Sequence, residues 1–554
     1  MSFRRIVLIA SLTVFACASE MQAQETHQHD HQHQHVAADL GHVSFKISCN
    51  ADAQRHFNLA AAWLHSFGYE EARRAFEGVT ALDPKCGMAY WGIAMSQYHP
   101  IWAPPTQTEL KTGWSAVEKA RTLGAATERE KSYIGAIEAF FKDADKIDHR
   151  TRALAYQQAM EQVYRQYPED REAAIFYALS LLEATTLTPG KDYAKQKKAA
   201  EILNRVVPQE PNHPGVAHYV IHSFDYPQLA ELALPAARSY AKIAPSSPHA
   251  LHMPTHIFTR LGLWQESIQS NAASAASARA LVARTHPGAA SYDELHAMDY
   301  LMYAYLQGAQ DKKAESILQQ LRSMSRVDDE NFAAAYAFPA IPARYALERK
   351  SWAEAASLTL HPSEFPWDRF RYAEAITHFA RALGSARLGD AAAARRSVDK
   401  LASIQQALVS AKENPVNLYW ATQVEVQRQA AAAWTARAEA RNEEALRLMR
   451  AAAELEASTD KSPVTPGAVL PSRELLGDLL LELKQPAEAL KEYEASLRDA
   501  PNRFNSLYGA ARAAELAGDR VKAAEYYHKL VSLCAQAEGE RPELKRAKEF
   551  RAHK

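Results

Sequence analysis

Two histidine pairs near the middle of the chain have the spacing of a shared metal site. His218 and His222 form one HxxxH pair, and His252 and His256 form a second. Residues four apart lie on one face of an α-helix, so each pair can direct two imidazoles at one ion. Each histidine of the first pair also recurs 34 residues later in the second pair. The four rings are therefore predicted to hold one divalent transition metal, or two.

Three further residues extend this set. His249 lies just before the second pair, and His296 and Asp299 lie near the start of the next 34-residue unit. We expect them to be additional ligands or partners of the ligands, with Asp299 as the carboxylate that would bridge two ions. Imidazole suits zinc, copper, iron and nickel. The ligand types favour zinc, copper or iron without choosing between them.

Other interpretations of the same histidines remain open. Histidine is also a common packing and capping residue, and a row of imidazoles in a groove can bind an acidic peptide without metal. The HExxH, GxSxG and phosphate-binding glycine motifs are absent from the sequence. The only catalytic chemistry that the sequence supports is therefore metal-based, as a Lewis acid or with oxygen. Whether the protein is an enzyme stays open at this stage.

The elements that must position these side chains follow a 34-residue period. Near the C-terminus, two small residues and an aromatic one, Gly477, Ala489 and Tyr493, have counterparts 34 residues later in Ala511, Ala523 and Tyr527. Small residues let the two helices of a hairpin approach closely, and the aromatic ring fills the remaining space. Pro501 follows the first of these units.

This pattern of small, small and aromatic residues resembles the tetratricopeptide repeat (TPR) family. The resemblance extends over most of residues 50–540 and implies an all-α fold, a TPR-like α-solenoid of roughly ten helix-turn-helix repeats. It also implies a concave groove that takes a peptide or protein ligand. The alternative function is therefore a scaffold that binds a protein partner in the cell envelope without metal or catalysis.

The sequence predicts six segments along the chain. They are a signal peptide (1–23), a His-rich disordered segment (24–45), an N-terminal TPR array with the histidine cluster (46–325), degenerate helical repeats (326–457), a linker (458–472) and a C-terminal TPR pair with a tail (473–554). The histidines at every second position of 27–35 can share a metal loosely or belong to a solvated tether.

The N-terminus predicts export. Arg4 and Arg5 precede an apolar run that is too short to span a bilayer and fits a cleavable signal peptide. We expect a periplasmic or secreted protein, and the bulky Phe15 disfavours a lipoprotein. Export would permit a disulfide between Cys49 and Cys86, and two free buried thiols are the alternative.

The charge balance and the hydropathy of the chain limit the classes of partner that it can bind. The chain has 64 Lys and Arg against 65 Asp and Glu. This balance gives no electrostatic reason to bind nucleic acid. Beyond the N-terminal run, no stretch is apolar enough for a transmembrane segment.

Overall fold

The computed structural model describes residues 39–187, 192–411, 415–462, 464–539 and 541–552. The predicted signal peptide and most of the His-rich segment lie outside these ranges. Within them all regular secondary structure is helical, apart from one isolated β-bridge between Ala290 and Val327. None of the described helices is both long and apolar enough to cross a membrane.

The helices are numbered here in chain order. They are α1 (Ala51–His65), α2 (Tyr69–Leu82), α3 (Gly87–Met95), α4 (Gln107–Leu123), α5 (Glu128–Phe141), α6 (His149–Gln166), α7 (Arg171–Leu187), α8 (Ala194–Val206), α9 (Pro214–Phe224), α10 (Leu234–Ile243), α11 (Pro248–His252), α12 (Pro254–Arg260), α13 (Trp264–Thr285), α14 (Tyr292–Gln307), α15 (Asp311–Arg322), α16 (Phe332–Glu348), α17 (Trp352–Ala356), α18 (Arg371–Arg387), α19 (Ala391–Ser410), α20 (Pro415–Ala438), α21 (Asn442–Ala457), α22 (Ser472–Glu482), α23 (Pro486–Asp499), α24 (Phe504–Leu516), α25 (Arg520–Leu533) and α26 (Pro542–Ala552). A short 3₁₀ helix (Ala230–Ala233) precedes α10.

Most helices pack against their neighbours in the sequence. α1 packs on α2, α7 on α8, α13 on α14, α18 on α19 and α24 on α25, and successive pairs then pack on one another. Local packing of this kind, hairpin on hairpin, defines a helical-repeat solenoid. The predicted all-α, TPR-like α-solenoid is therefore confirmed.

The small and aromatic residues of the repeat pack against each other in the helical hairpins, as the sequence pattern predicts. An added Cβ atom on Gly477 would lie 2.7 Å from the Tyr493 ring, and one on Gly509 would lie 2.3 Å from it. In the N-terminal hairpins, a Cβ on Gly92 would lie 2.3 Å from the Phe76 ring. Glycine at these positions lets two helices close over a buried ring, which a larger residue would push apart.

Contacts between distant hairpins bring further segments to the histidine region. α1 packs on α9, and α14 packs on α24. At the second of these contacts the fully buried Arg503 donates to Glu348, Glu474 and the Tyr303 hydroxyl. A buried arginine needs such paired partners.

The predicted linker, residues 458–472, packs against the helices. Val469 and Leu470 are buried, and the carbonyls of Gly467 and Ala468 both accept hydrogen bonds from the Arg344 guanidinium on α16. This segment therefore forms part of the wall around the helices that hold the histidines.

Candidate metal centre

Four helices supply the candidate ligands, and prolines set where three of these helices begin. Pro214, Pro248 and Pro254 are the first residues of α9, α11 and α12. Proline suits this position because it needs no helical N–H partner there. Pro254 also separates α11 from α12, so the second HxxxH pair spans a break between two short helices.

The first triad consists of His218, His222 and His249. The Nε2 atoms of His222 and His249 each lie 3.1 Å from Nε2 of His218. One ligand nitrogen from each ring lies within 4.8 Å of the others, which is close enough for all three to reach one ion. His222 is partly exposed, and the other two rings are buried.

The second triad consists of His252, His256 and His296. Nε2 of His252 lies 3.1 Å from Nε2 of His256, and the His252 and His296 ring centroids are 4.2 Å apart. These three rings are all buried and again offer ligand atoms within 4.8 Å of one another. The Tyr300 hydroxyl lies 3.5 Å from Nε2 of His256, so a phenol faces the same point.

The two triads are adjacent. The His222 ring lies 6.2 Å from the His256 ring, and the His249 ring lies 6.5 Å from the His252 ring, measured between centroids. Together they form a six-histidine cluster with no carboxylate among the candidate ligands.

Hydrogen bonds to Nδ1 fix the tautomer of one histidine in each triad. Nδ1 of His218 donates to the main-chain carbonyl of His65 at 2.7 Å, and Nδ1 of His252 donates to the side-chain oxygen of Asn271 at 2.7 Å. A carbonyl oxygen can only accept, so each Nδ1 carries the proton. In the neutral ring the Nε2 lone pair is then free for a metal.

His256 is held in the same way by a carboxylate. Its Nδ1 donates to Oδ2 of Asp225 at 3.0 Å. Arg260 and Lys461 also donate to this carboxylate, at 2.9 Å each. These two cations hold the pKa of Asp225 well below its usual range despite burial, so the group stays ionised. A carboxylate behind a ligating imidazole orients the ring and increases its basicity.

Hydrogen bonding within the first triad cannot satisfy its nitrogens. Nε2 of His218 has one lone pair and faces Nε2 of both His222 and His249. One lone pair accepts only one good hydrogen bond, so it cannot serve both neighbours. Two nitrogens that are each about 2.1 Å from one ion lie roughly 3.1 Å apart when the N–metal–N angle is about 95°. The two spacings of 3.1 Å therefore also fit nitrogens that share one ion, so this triad could hold a metal.

Burial keeps the six rings neutral. It is the largest cause that lowers the pKa of His218, His249, His252 and His296 well below the usual value, and neighbouring imidazoles lower it further. Burial together with His256 lowers the pKa of His222 to about 3. The pKa of His256 is also lowered by burial, against the pull of Asp225. Neutral imidazole is the form that binds metal.

Each HxxxH pair belongs to one triad, which is the two-ion arrangement among the predicted ones, and the structure differs from the sequence prediction at Asp299. The four histidines of the HxxxH pairs fall into two groups, and His249 and His296 complete the triads. Asp299 belongs to neither triad. Its Oδ1 accepts from Nε of Arg344 at 2.9 Å, and both side chains are buried. Arg344 thus holds the carboxylate that was expected to bridge two ions.

A third cluster contains His65, Glu172 and His213, and three of its four ring nitrogens have protein partners, whereas Nδ1 of His213 is buried without one among the described residues. Nε2 of each histidine lies 3.0 Å from a different oxygen of Glu172, and Nδ1 of His65 lies 3.0 Å from the Tyr219 hydroxyl. Burial would raise the pKa of Glu172, but the two imidazoles outweigh it and lower that pKa below its usual range. This network fixes His65, whose carbonyl orients His218.

Aromatic side chains enclose the triads. The Phe67 ring lies 4.4, 5.7 and 5.4 Å from the rings of His218, His222 and His249. Phe67 lies in the turn between α1 and α2 and has a positive φ of 55°, which is rare for an aromatic residue. Trp102 contacts a histidine of each triad at about 6 Å. The centre is therefore partly shielded from water by residues of the first two hairpins.

Cys49 and Cys86 are joined by a disulfide, with their Cα atoms 5.4 Å apart. It links the residues just before α1 to the start of α3. Cys534 is free and buried.

The fold and the site define a TPR-like helical-repeat protein with a cluster of six histidines, five of them buried. No protein-family profile matches the chain, and no curated protein is detectably similar to it. Among solved structures, the APC/C hetero-tetramer Cut9-Hcn1 is 12% identical, with 90% of this chain and 96% of that chain covered and a TM-score of 0.30. The human IFIT1 dimer with PPP-AAAA is 14% identical, with 88% and 92% covered and a TM-score of 0.35. At such scores the fold assignment rests on the helix packing described above.

Proposed function

We propose that this protein binds two transition-metal ions, one in each histidine triad, and is a metal-dependent enzyme. The observation that carries the proposal is the convergence of ring nitrogens in both triads, with three Nε2 pairs at 3.1 Å and all ligand atoms of each triad within 4.8 Å of one another. In each triad an Nδ1 proton is already committed to a carbonyl, amide or carboxylate oxygen. Three protein ligands leave a coordination position open, which is the feature that separates catalytic from structural sites.

Copper suits this ligand set best. All six candidate ligands are neutral imidazoles, whereas non-haem iron sites commonly include a carboxylate. Copper is also the divalent ion with the highest affinity for a nitrogen site of this kind. A copper pair would supply oxygen chemistry, and zinc in the same triads would supply a Lewis acid and an activated water.

The residues around the triads would support either chemistry. Asp225, Asn271 and the His65 carbonyl hold ligand rings in one orientation, so little reorganisation is needed when an ion binds. The Tyr300 hydroxyl faces His256 from inside the site, and burial raises the pKa of this phenol well above its usual value. Tyr300 therefore stays protonated and can donate a hydrogen bond toward an external ligand.

The proposal is tested by counting bound metal. The chain is stripped of metal, reloaded and measured by elemental analysis, with and without residues 24–36, because the histidine tract binds metal loosely by itself. We expect two ions per chain without the tract. His222→Ala and His256→Ala should each remove one ion, and His528→Ala, an exposed histidine on α25, should remove none.

The same preparation separates the alternatives. Two copper ions that share a bridging ligand couple magnetically and give little signal in electron paramagnetic resonance, whereas either single-triad variant should show the signal of an isolated Cu(II). Tight zinc binding without copper binding would favour the Lewis-acid function. A folded protein that takes up no metal would leave a scaffold that binds a peptide or protein as the remaining function.

We also propose that the protein is exported to the periplasm or secreted. The disulfide between Cys49 and Cys86 supports this, because such bonds persist in oxidising compartments. Mass spectrometry of the mature protein tests the proposal. Cleavage near residue 23 with the disulfide intact is expected, and an uncleaved, reduced chain in the cytoplasm would contradict it.

A further inference from the structure

A cavity of about 290 Å³ is lined by Arg260 and Lys461, the two cations that pair with Asp225. Residues of α12, α14, α16 and α20 line it together with the 459–473 segment. None of the six triad histidines is among its lining residues. It is therefore a space separate from the proposed metal positions, at the small end of the range for ligand pockets.

The least exposed charged side chains of this cavity include two cations. Arg260 and Lys461 line it, and the side chains of both are 11% exposed. Both pair with the same carboxylate, that of Asp225. Two buried cations thus share one buried anion, and a charge left unbalanced in a protein interior is costly.

Burial and the Arg260 charge lower the pKa of Lys461 to about 8 against the attraction of Asp225, and Asp460 is the only wall carboxylate among the other causes that act on this amine. Asp460 and Asp499 lie at the exposed rim. Glu456 accepts a hydrogen bond from the main-chain N–H of Ser472. Burial raises the pKa of Glu456 to about 7, so it is partly protonated near neutral pH. Arg473 is paired with Glu492.

The remaining wall is aromatic. Tyr193, Tyr303, Tyr336, Tyr419 and Trp420 all line the cavity. Planar aromatic walls favour a planar or apolar ligand body through stacking and apolar burial. A ligand with a planar ring and one negative group would contact both the aromatic wall and the two cations, Arg260 and Lys461.

We propose that this cavity binds a small organic anion, an aromatic carboxylate, with its charged group on Lys461 and Arg260 and its ring against the tyrosines and Trp420. This site does not depend on metal. One consequence does rest on the proposed function. The organic anion would contact the two cations that pair with Asp225, and Asp225 accepts a hydrogen bond from the metal ligand His256. We therefore expect the organic anion and the metal ion of the second triad to strengthen each other's binding, and such coupling is reciprocal.

The probes are benzoate, its neutral isostere benzamide and inorganic phosphate, added to the metal-free full-length chain and followed by calorimetry. We expect benzoate to bind with a dissociation constant of about 1 mM or lower, so that ~10 mM benzoate nearly fills the site. Benzamide should bind at least about tenfold more weakly. Benzoate that binds no better than benzamide, or phosphate that binds in its place, would overturn the proposal.

Two variants locate the site. Lys461→Met should weaken benzoate binding by about tenfold or more, and Lys461→Arg, which keeps the charge, should retain it. The exposed Lys491 on α23 offers a control, and Lys491→Met should bind benzoate like the wild type. Equal binding by Lys461→Met and the wild type would refute the assignment. If Lys461→Met does not fold, the comparison of benzoate with benzamide on the wild type still tests whether the cavity recognises the negative charge.

The coupling is measured separately, by titrating metal into the second triad with and without saturating benzoate. We expect the affinity of that triad to rise by about fivefold or more, the lower end of typical coupling. Benzoate binding without any such change would disprove the link through Asp225 and leave the anion site in place. Failure of metal binding itself would affect the proposed function alone.

Discussion

Replacing Asn271 by alanine should weaken one metal site and leave the other intact. Asn271 is fully buried on α13, and its side-chain oxygen accepts the Nδ1 proton of His252 at 2.7 Å. Its amide nitrogen donates to the Ser267 carbonyl at 2.9 Å, which fixes the direction of the amide. The substitution removes the group that orients His252 and leaves the first triad, which depends on the His65 carbonyl, unchanged.

The expected magnitudes follow from these contacts. Loss of a hydrogen-bond partner behind a metal-ligating histidine typically reduces metal affinity about 10–100-fold, which is roughly 1.4–2.7 kcal/mol. The metal-free protein should also lose about 1–3 kcal/mol of stability, because Nδ1 of His252 becomes a buried donor without a partner. Asn271→Asp keeps an acceptor oxygen and should retain the affinity of the second triad.

The assay is a competition titration against a chromophoric chelator, which resolves the two sites, together with urea unfolding of the metal-free chain. Only the phase that belongs to the second triad should move in Asn271→Ala, and the number of ions should stay at two. Equal weakening of both sites, or no weakening of either, would show that the Nδ1 contact does not set the orientation of His252. The reasoning applied to all three oriented ligands would then be refuted.

Three other perturbations have definite expected outcomes. Folding lowers the pKa of the six triad histidines below 6.5, so the unfolded chain binds more protons in acid. The free energy of unfolding of the metal-free protein should therefore fall as the pH drops below 6.5, by up to about 1.4 kcal/mol per pH unit for each histidine, measured by urea titrations at several pH values. No loss of stability between neutral pH and pH 5 would contradict the burial of neutral rings. Reduction of the Cys49–Cys86 disulfide, which closes a separation of 37 residues, should cost about 4 kcal/mol, measured by unfolding with and without a reductant, and an unchanged midpoint would show that the bond adds no constraint. Gly509→Ala should cost about 1–3 kcal/mol because its Cβ would meet the Tyr493 ring. Gly78→Ala, with open space around its Cβ, should be neutral or stabilising, and thermal melts of both variants measure the difference.

Much of the fold was predictable because its signals are local. The helical hairpins follow from the small and aromatic positions, since a glycine such as Gly477 and a ring such as Tyr493 meet within one hairpin or between neighbours. The spacing of four within HxxxH and of 34 between the pairs is likewise a local and periodic signal. This spacing identifies His218 and His252 as candidate metal ligands from the sequence alone.

Which triad His249 and His296 complete was not predictable from that spacing. Pro254 breaks the helix between His252 and His256, so the second pair spans two short helices with a bend between them. The spacing of four keeps each HxxxH pair within one triad, but it does not indicate which triad a neighbouring histidine joins. The short helices α11 and α12 let His249 join the first triad and His252 join the second.

The partners of the ligands lie too far away in the sequence to be recognised. The His65 carbonyl that orients His218 is 153 residues upstream, and Asp299 is paired with Arg344, 45 residues downstream. Asp225 follows His222 closely, but nothing in the spacing indicates that it accepts a proton from His256. Such contacts come from the packing of separate hairpins, which the repeat pattern does not specify.

The position of Phe67 and His65 in the first hairpin limits how far this protein can be dissected. Repeat proteins are often shortened or recombined unit by unit, since each unit contacts only its neighbours. Here the opening hairpin supplies both a cover and an anchor for rings on α9 and α11. A fragment that begins after it would contain all six imidazoles and still lack a properly built first triad, so the centre is a property of the assembled chain rather than of a transplantable motif.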